Sequence, residues 1–195
     1  MSRYTGPSCK KCRKVSQKLF LKGSKCATNC IVDKKQKASR DKKFSSGGPG
    51  GMKKMSDYGK HLREKQIARL MAQVTEAQFR RFFDKASKDK GKTGEALLRF
   101  LEVRLDNIAR RLGFAISMKA SRQLVNHGHV RVNGRPVDIP SFLVKPGDTV
   151  NVDAKAAQSV AVKLGLENAD KAAPRPSFLS WDPATMTGKM VRWPD

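Results

Sequence analysis

Between Leu97 and Val132 the hydrophobic period of the chain switches from that of a helix to that of a strand. Leu97, Leu101, Leu105, Ile108 and Leu112 step by four, four, three and four residues, which places them on one helical face. Thr93 stands where it can cap that helix and Gly113 where it can close it. The spacing predicts one long amphipathic helix over "GEALLRFLEVRLDNIARRLG", with room for a kink. Val130 and Val132 then alternate up to Asn133-Gly134, a pair suited to the positive φ angles of a two-residue hairpin turn. Ser117 can cap a short helix, "MKASRQLVNHG", that Gly128 ends. The stretch "SFLVKPGDTVNV" reads as two further strands joined at Pro146-Gly147-Asp148. Residues 105–153 are therefore expected to form a compact α+β module, a helix pair packed on a small twisted sheet.

Upstream, Ser56-Asp57 can cap a helix carrying Leu62, Ile67, Leu70 and Met71. Thr75 with Gln78 has capping-box spacing for a second helix, whose apolar face is Phe79, Phe82, Phe83 and Ala86. Between Lys34 and Met55 there are almost no apolar residues, and "GGPGG" sustains neither helix nor strand, so this is a linker. After residue 153 come one modest helix, "AKAAQSVAVKLGL", and a Pro-rich extended finish with Trp181 and Trp193 as packing anchors. The expected organisation is a basic arm at 1–34, a basic Gly-rich linker at 35–55, a helical domain at 56–104 completed by the tail 154–195, and the inserted module at 105–153.

Charge narrows the partner class. The chain carries 41 Lys+Arg against 17 Asp+Glu, a net charge of +24. The excess is uneven: residues 1–60 hold 17 basic and 3 acidic groups, 61–145 hold 18 and 8, and 146–195 hold 6 and 6. A polyanion, foremost nucleic acid, is expected along the first three-quarters, and the neutral tail is left for packing. A membrane surface fits less well, because there is no long uncharged apolar run and no basic helix with a broad Trp/Phe/Leu face. "MSRYTGPSCKK" lacks the apolar core of a signal peptide, so a reducing compartment is expected, the cytosol or an organelle stroma or matrix.

All four cysteines lie in "SCKKCRKVSQKLFLKGSKCATNC", spaced C-x2-C-x13-C-x3-C. Two close pairs bridged by a short loop match a tetrahedral four-thiolate zinc site, and neighbouring lysines favour thiolates. Four reduced thiols, a labile disulfide pair and an iron–sulfur cluster are the other readings of the same spacing. Four sulfurs close a zinc site, and residues 1–32 contain no carboxylate to act as a base, so a bound ion would be structural. The enclosed loop offers only Val15, Leu19, Phe20 and Leu21 to a core, so metal binding is expected to supply most of its folding free energy.

In the module, Lys119, Arg122 and Gln123 on the short helix and Asn133 and Arg135 on the hairpin form a surface suited to phosphates. Ordinary surface charge is the competing explanation. His127 and His129 flank Gly128 too closely for a persuasive metal pair. No P-loop, G-x-S-x-G or His-Glu metal motif is present, and Asp106 is expected to pair with Arg110 at i,i+4 rather than serve as a catalytic acid.

The runs "SRYTGPSCKKC", "SDYGKHLREKQ", "QFRRFF", "RLDN", "RRLGFA" and above all "SRQLVNHGHVRVNGRPVDIPSFLVKPGD" resemble the bacterial small-subunit ribosomal protein four family over residues ~2 to ~153. The resemblance implies an α+β protein: a mainly helical domain with an inserted small α+β RNA-binding module and an N-terminal zinc-stabilised basic arm. It implies an early-binding assembly protein that grips a multi-helix junction in the 5′ domain of small-subunit rRNA. It also implies placement beside small-subunit proteins three and five, near messenger RNA where it enters its channel, with influence on decoding accuracy. One structural Zn2+ would be held by Cys9, Cys12, Cys26 and Cys30. Candidate RNA contacts are Arg3, Tyr4, Lys10, Lys11, Arg13, Lys14, Lys18, Lys53, Lys54, Ser56, Tyr58, Arg63, Lys65, Arg69, Lys119, Arg122, Gln123, His127, Asn133 and Arg135. Three departures stand out: "ATN" between the last two cysteines where relatives often have four residues, "GGPGGM" where they carry P-G-Q-H-G, and an end at "VRWPD" where they continue with an apolar segment. A short form or an incomplete sequence is the expectation at that end. The same module also occurs in RNA-modifying enzymes, but this chain has no spare length for a separate catalytic domain.

Overall fold

The computed structural model describes residues 4–34, 56–171 and 175–194, in two compact units that divide after Thr75. Arg3, Lys53, Lys54 and the linker expected at 35–55 lie outside the described residues.

The first unit contains α1 (Ser8–Val15), α2 (Ser24–Thr28), a helical turn at 31–34 and α3 (Asp57–Met71). Helix α1 ends where Ser16 turns left-handed, with φ 53°. The Arg63 guanidinium of α3 then donates to the Val15 carbonyl at 2.9 Å, satisfying one of the acceptors a helix end leaves open. Ser56 caps α3 as expected, its Oγ accepting from the Gly59 N–H at 3.2 Å. Cys12, Val15, Leu19, Leu21, Val32 and Ile67 form one apolar cluster, with Cys30 and Leu70 against it. The helix expected to open the helical domain thus packs on the cysteine-bearing segment, and the loop between the cysteine pairs has an apolar core beyond its own few side chains.

The second unit opens with α4 (Glu76–Ala86) and α5 (Thr93–Glu102), packed on each other with Phe79, Phe82, Ala86, Ala96 and Leu101 buried. The single long helix expected from residue 93 onward is two helices. Arg104 is extended (φ −63°, ψ 139°), and α6 (Leu105–Leu112) begins after it. Long-range backbone pairing causes the break. Arg104 bridges Leu143, the Leu105 N–H donates to the Phe142 carbonyl at 2.8 Å, and the Val144 N–H donates to the Val103 carbonyl at 3.0 Å. Residues 141–144, expected as a strand, supply that bridge and no more.

Helix α7 (Met118–Asn126) packs on α6 and is capped by Ser117, whose Oγ accepts from the Ala120 N–H at 3.3 Å. The antiparallel sheet that follows has the order β2-β1-β3-β5-β4, from β1 (Val130–Val132), β2 (Arg135–Pro136), β3 (Thr149–Val152), β4 (Leu179–Asp182) and β5 (Thr187–Met190). Asn133 and Gly134 both have positive φ, 51° and 79°, the primed turn expected of that pair. In register, Val130 faces Val152 and Val132 faces Val150. These valines share a core with Val103, Leu105, Ile108, Leu112, Phe114, Val125, Val144, Val162 and Met190.

The tail was expected to complete the helical domain. Its helix divides into α8 (Ala154–Ala157) and α9 (Val160–Lys171), and its extended finish is the β4–β5 hairpin that pairs with β3. At Gly188 of β5 the sheet passes so close to α6 that a Cβ would run into the Leu112 side chain. Trp181 is the anchor expected of it: it meets Phe114 edge-on at 5.6 Å, with the Arg175 guanidinium 4.8 Å from its ring centroid. Trp193 remains 42% exposed. The tail still reaches the helices at one point, where Arg99 Nε donates to the Pro194 carbonyl at 3.2 Å.

Candidate nucleic-acid interface

In the first unit, helical geometry sorts cations from thiols. Cys12 and Val15 of α1 point into the apolar cluster, while Lys10, Arg13 and Lys14, at i, i+3 and i+4, are exposed on the opposite face. Lys22, Lys25 and Lys34 add exposed charge that the motif-based candidates had omitted, although their lysine identity alone was signal enough. Other candidates are engaged internally. Lys18 pairs with Asp33 at 2.7 Å, a bond that raises its pKa, and Lys11 lies over the Tyr4 ring at 4.7 Å. Arg63 is held by Val15, and Arg69 donates twice to Gln66 Oε1, at 3.0 and 2.7 Å. Ser56 serves as the α3 cap, Tyr58 is 76% exposed, and Lys65 is exposed on the same helix.

Cys12 and Cys26 are buried, Cys9 and Cys30 are half-buried, and all four are free thiols. Burial raises the Cys12 pKa; the Leu19 N–H pulls it down, and Cys26, Cys9 and Cys30 in turn push it up. Cys26 Sγ accepts the Lys22 N–H at 3.3 Å. Backbone N–H donation to sulfur is the outer-shell support that a thiolate metal ligand uses. Among the described residues, however, no three or more His, Cys, Asp or Glu side chains are arranged to hold a metal ion.

In the second unit the α7 surface differs from its expected form. Lys119 is half-exposed, and Gln123, His127 and Arg135 are exposed. Arg122 turns inward instead. Its Nε donates to Asp106 Oδ2 at 3.0 Å, Nη2 contacts the same oxygen, and only 13% of its side chain is exposed. Asp106 is fully buried and also accepts from Arg104 Nε and Nη2 at 3.0 and 2.8 Å. The expected Asp106–Arg110 pair is absent: Arg110 donates to Asn107 Oδ1 at 3.1 Å, and burial followed by repulsion from Arg111 lowers its pKa. Arg111 makes a two-bond pair with Glu102, at 2.8 and 3.1 Å.

Asn133 is occupied as well. Its Nδ2 donates to Asp148 at 2.8 Å, and its Oδ1 accepts from the Thr149 N–H at 2.9 Å and hydroxyl at 3.2 Å, so its amide fastens the hairpin to β3. His127 and His129 stand with ring centroids 6.1 Å apart. The structure thus leaves Lys119, Gln123, His127 and Arg135 facing outward over a frame pinned by Arg122 and Asn133.

Exposed cations over internally bonded frames, with Asp106 locked between two arginines rather than free for proton transfer, define a polyanion-binding scaffold rather than a catalytic centre. Residues 3–102 match the family model described as the ribosomal protein S4/S9 N-terminal domain, and residues 103–150 match the S4 domain. The two models meet at the backbone break before Arg104. The small ribosomal subunit protein uS4 of Acetivibrio thermocellus is 47% identical over 196 residues, spanning 100% of this chain and 90% of the relative. The uS4 of Acidobacterium capsulatum is 46% identical over 197 residues with the same coverage, and that of Pelotomaculum thermopropionicum 47% over 184 residues, covering 93% of this chain. The chain belongs to the uS4 family.

Proposed function

We propose that this chain is a non-enzymatic structural constituent of the small ribosomal subunit that binds small-subunit rRNA. The observation that carries this is the match along the whole chain to proteins named as small-subunit components. The physical support is the outward ridge of Lys10, Arg13 and Lys14 and the exposed surface of α7 and the hairpin, which suit phosphates on a rigid RNA fold better than base edges. The RNA-modifying alternative has no support in the relatives' names, and the buried Asp106 carboxylate is bound by Arg104 and Arg122. No described helix is long and apolar enough to cross a membrane.

The finer proposal is that the rRNA target is a multi-helix junction of the 5′ domain, bound early in assembly. Small-subunit proteins three and five and incoming messenger RNA would be neighbours, with an effect on decoding accuracy, in ribosomes of the cytoplasm or of an organelle. The sequence runs that carry the family resemblance support it. At moderate salt the full chain is expected to prefer a 5′-domain junction transcript over a random duplex; equal affinity for the two would end the junction proposal.

One structural zinc on Cys9, Cys12, Cys26 and Cys30 is the second proposal, supported by donor type, by the half-buried to buried thiols and by the N–H donors at Cys12 and Cys26. When bound, the ion would supply charge neutralisation and cross-linking, with no chemistry of its own. Freshly purified protein is expected to hold about one equivalent of zinc and no iron, and less than about half an equivalent would defeat the site.

A further inference from the structure

We propose that Phe20 is a stacking platform for an unpaired base of the bound RNA; this rests on the rRNA-binding reading and adds a contact that engages a ring face rather than a phosphate. Leu19 and Leu21 are each only 3% exposed, buried in the core of the first unit, whereas Phe20 between them is 59% exposed. Its backbone sits in the left-handed region, φ 49°, where a bulky aromatic residue is a steric outlier. Glycine or asparagine would make this turn with less strain, and a phenyl ring left 59% exposed recovers only part of its burial energy. An exposed phenyl ring on a strained turn points to a role in binding rather than in packing.

The backbone on either side of the ring is tied down. The N–H of Leu19 hydrogen-bonds to Cys12 and that of Lys22 donates to Cys26 Sγ at 3.3 Å, so both sides of the turn are fastened to buried sulfurs. Lys18 Nζ lies 5.3 Å from the ring centroid, its charge balanced by Asp33, and Lys22 and Lys25 are exposed nearby in sequence. A hydrophobic protein partner would have to desolvate these ammonium groups, whereas a nucleotide offers a π face to the ring and a phosphate to the lysines.

The test uses the full chain and a 5′-domain junction transcript at fixed moderate salt. Phe20→Ala and Phe20→Leu are expected to bind roughly ten- to hundredfold more weakly, and Phe20→Tyr within about twofold of wild type. All three keep the wild-type melting temperature, since the side chain is exposed, and the wild-type salt slope, since no charge is removed. The proposal is overturned if Phe20→Ala binds within about twofold of wild type, or if Phe20→Leu binds as tightly as Phe20→Tyr. Unchanged RNA affinity with failed incorporation into reconstituted subunits would assign the ring to a protein neighbour and overturn it equally. A wild-type chain without preference for the transcript over random duplex defeats the junction reading itself, whereas retained wild-type preference with an unaffected Phe20→Ala defeats only the stacking.

Discussion

Asp106→Ala is expected to lower the unfolding free energy by about 3–5 kcal/mol, read as a fall in the urea midpoint with little change in slope. The carboxylate is fully buried and takes four contacts, two from Arg104 and two from Arg122. Arg104 is itself only 2% exposed, its guanidinium 5.5 Å from the Phe82 ring centroid, so removing the anion strands a buried cation between α4 and the module. The neighbouring backbone is tied to the same place. The Asp106 N–H donates to the Pro140 carbonyl at 3.2 Å, and its carbonyl accepts the buried Ser121 hydroxyl. Asp106→Asn keeps an acceptor and is expected to cost less; Arg122→Ala less again, because Arg104 still neutralises the carboxylate. A loss below about 1 kcal/mol for Asp106→Ala would mean that these bonds do not hold the module together.

The places where sequence and structure part company share one physical cause. The apolar positions of α5 and α6 stay in phase from Leu97 to Leu112, so periodicity alone continues the helix through Arg104. What breaks it is a strand-like bridge to Leu143, 39 positions away, and a helical period carries no information about such a partner. Asp106 tells the same story. Local rules pair it with Arg110 four residues on, and the fold pairs it with Arg122 sixteen residues on. Local features were legible because their physics is local: the caps at Ser56 and Ser117, the left-handed close at Gly113 and the Asn133-Gly134 turn all stand where the sequence put them.

Candidate contacts divide along the same line. Lys10, Arg13 and Lys14 were candidates on charge and resemblance, and helix α1, which the sequence did not predict, is what turns them away from Cys12 and Val15. That Arg122 and Asn133 turn inward depends on Asp106, Asp148 and Thr149, which only the folded chain brings near. The tail hairpin was hidden for a different reason. Its prolines favour an extended, unpaired reading, and β4 becomes visible as a strand only once β5 is placed beside β3.

That division sets the second large effect, on RNA affinity. Among the described residues of the arm, Lys10, Arg13, Lys14, Lys22, Lys25 and Lys34 are exposed, and if each neutralises one phosphate the log–log salt slope is at least about −4 to −5. Affinity for the junction transcript is then expected to fall on the order of a thousandfold between about 50 and 200 mM monovalent salt. A slope shallower than about −2 would exclude the arm as the main phosphate contact. Single variants test which charges act outward. Lys14→Gln is expected to flatten the slope by roughly 0.7–0.9, because its ammonium has released counterions from the RNA. Lys18→Gln and Arg122→Gln are expected to leave the slope where it is, because bonds to Asp33 and Asp106 hold those cations against the fold instead of facing them outward. Arg122→Gln should show its effect in the urea midpoint instead. If Arg122→Gln flattened the slope as much as Lys14→Gln does, Arg122 would have to leave Asp106 on binding, and the inward frame would be a property of the free protein alone.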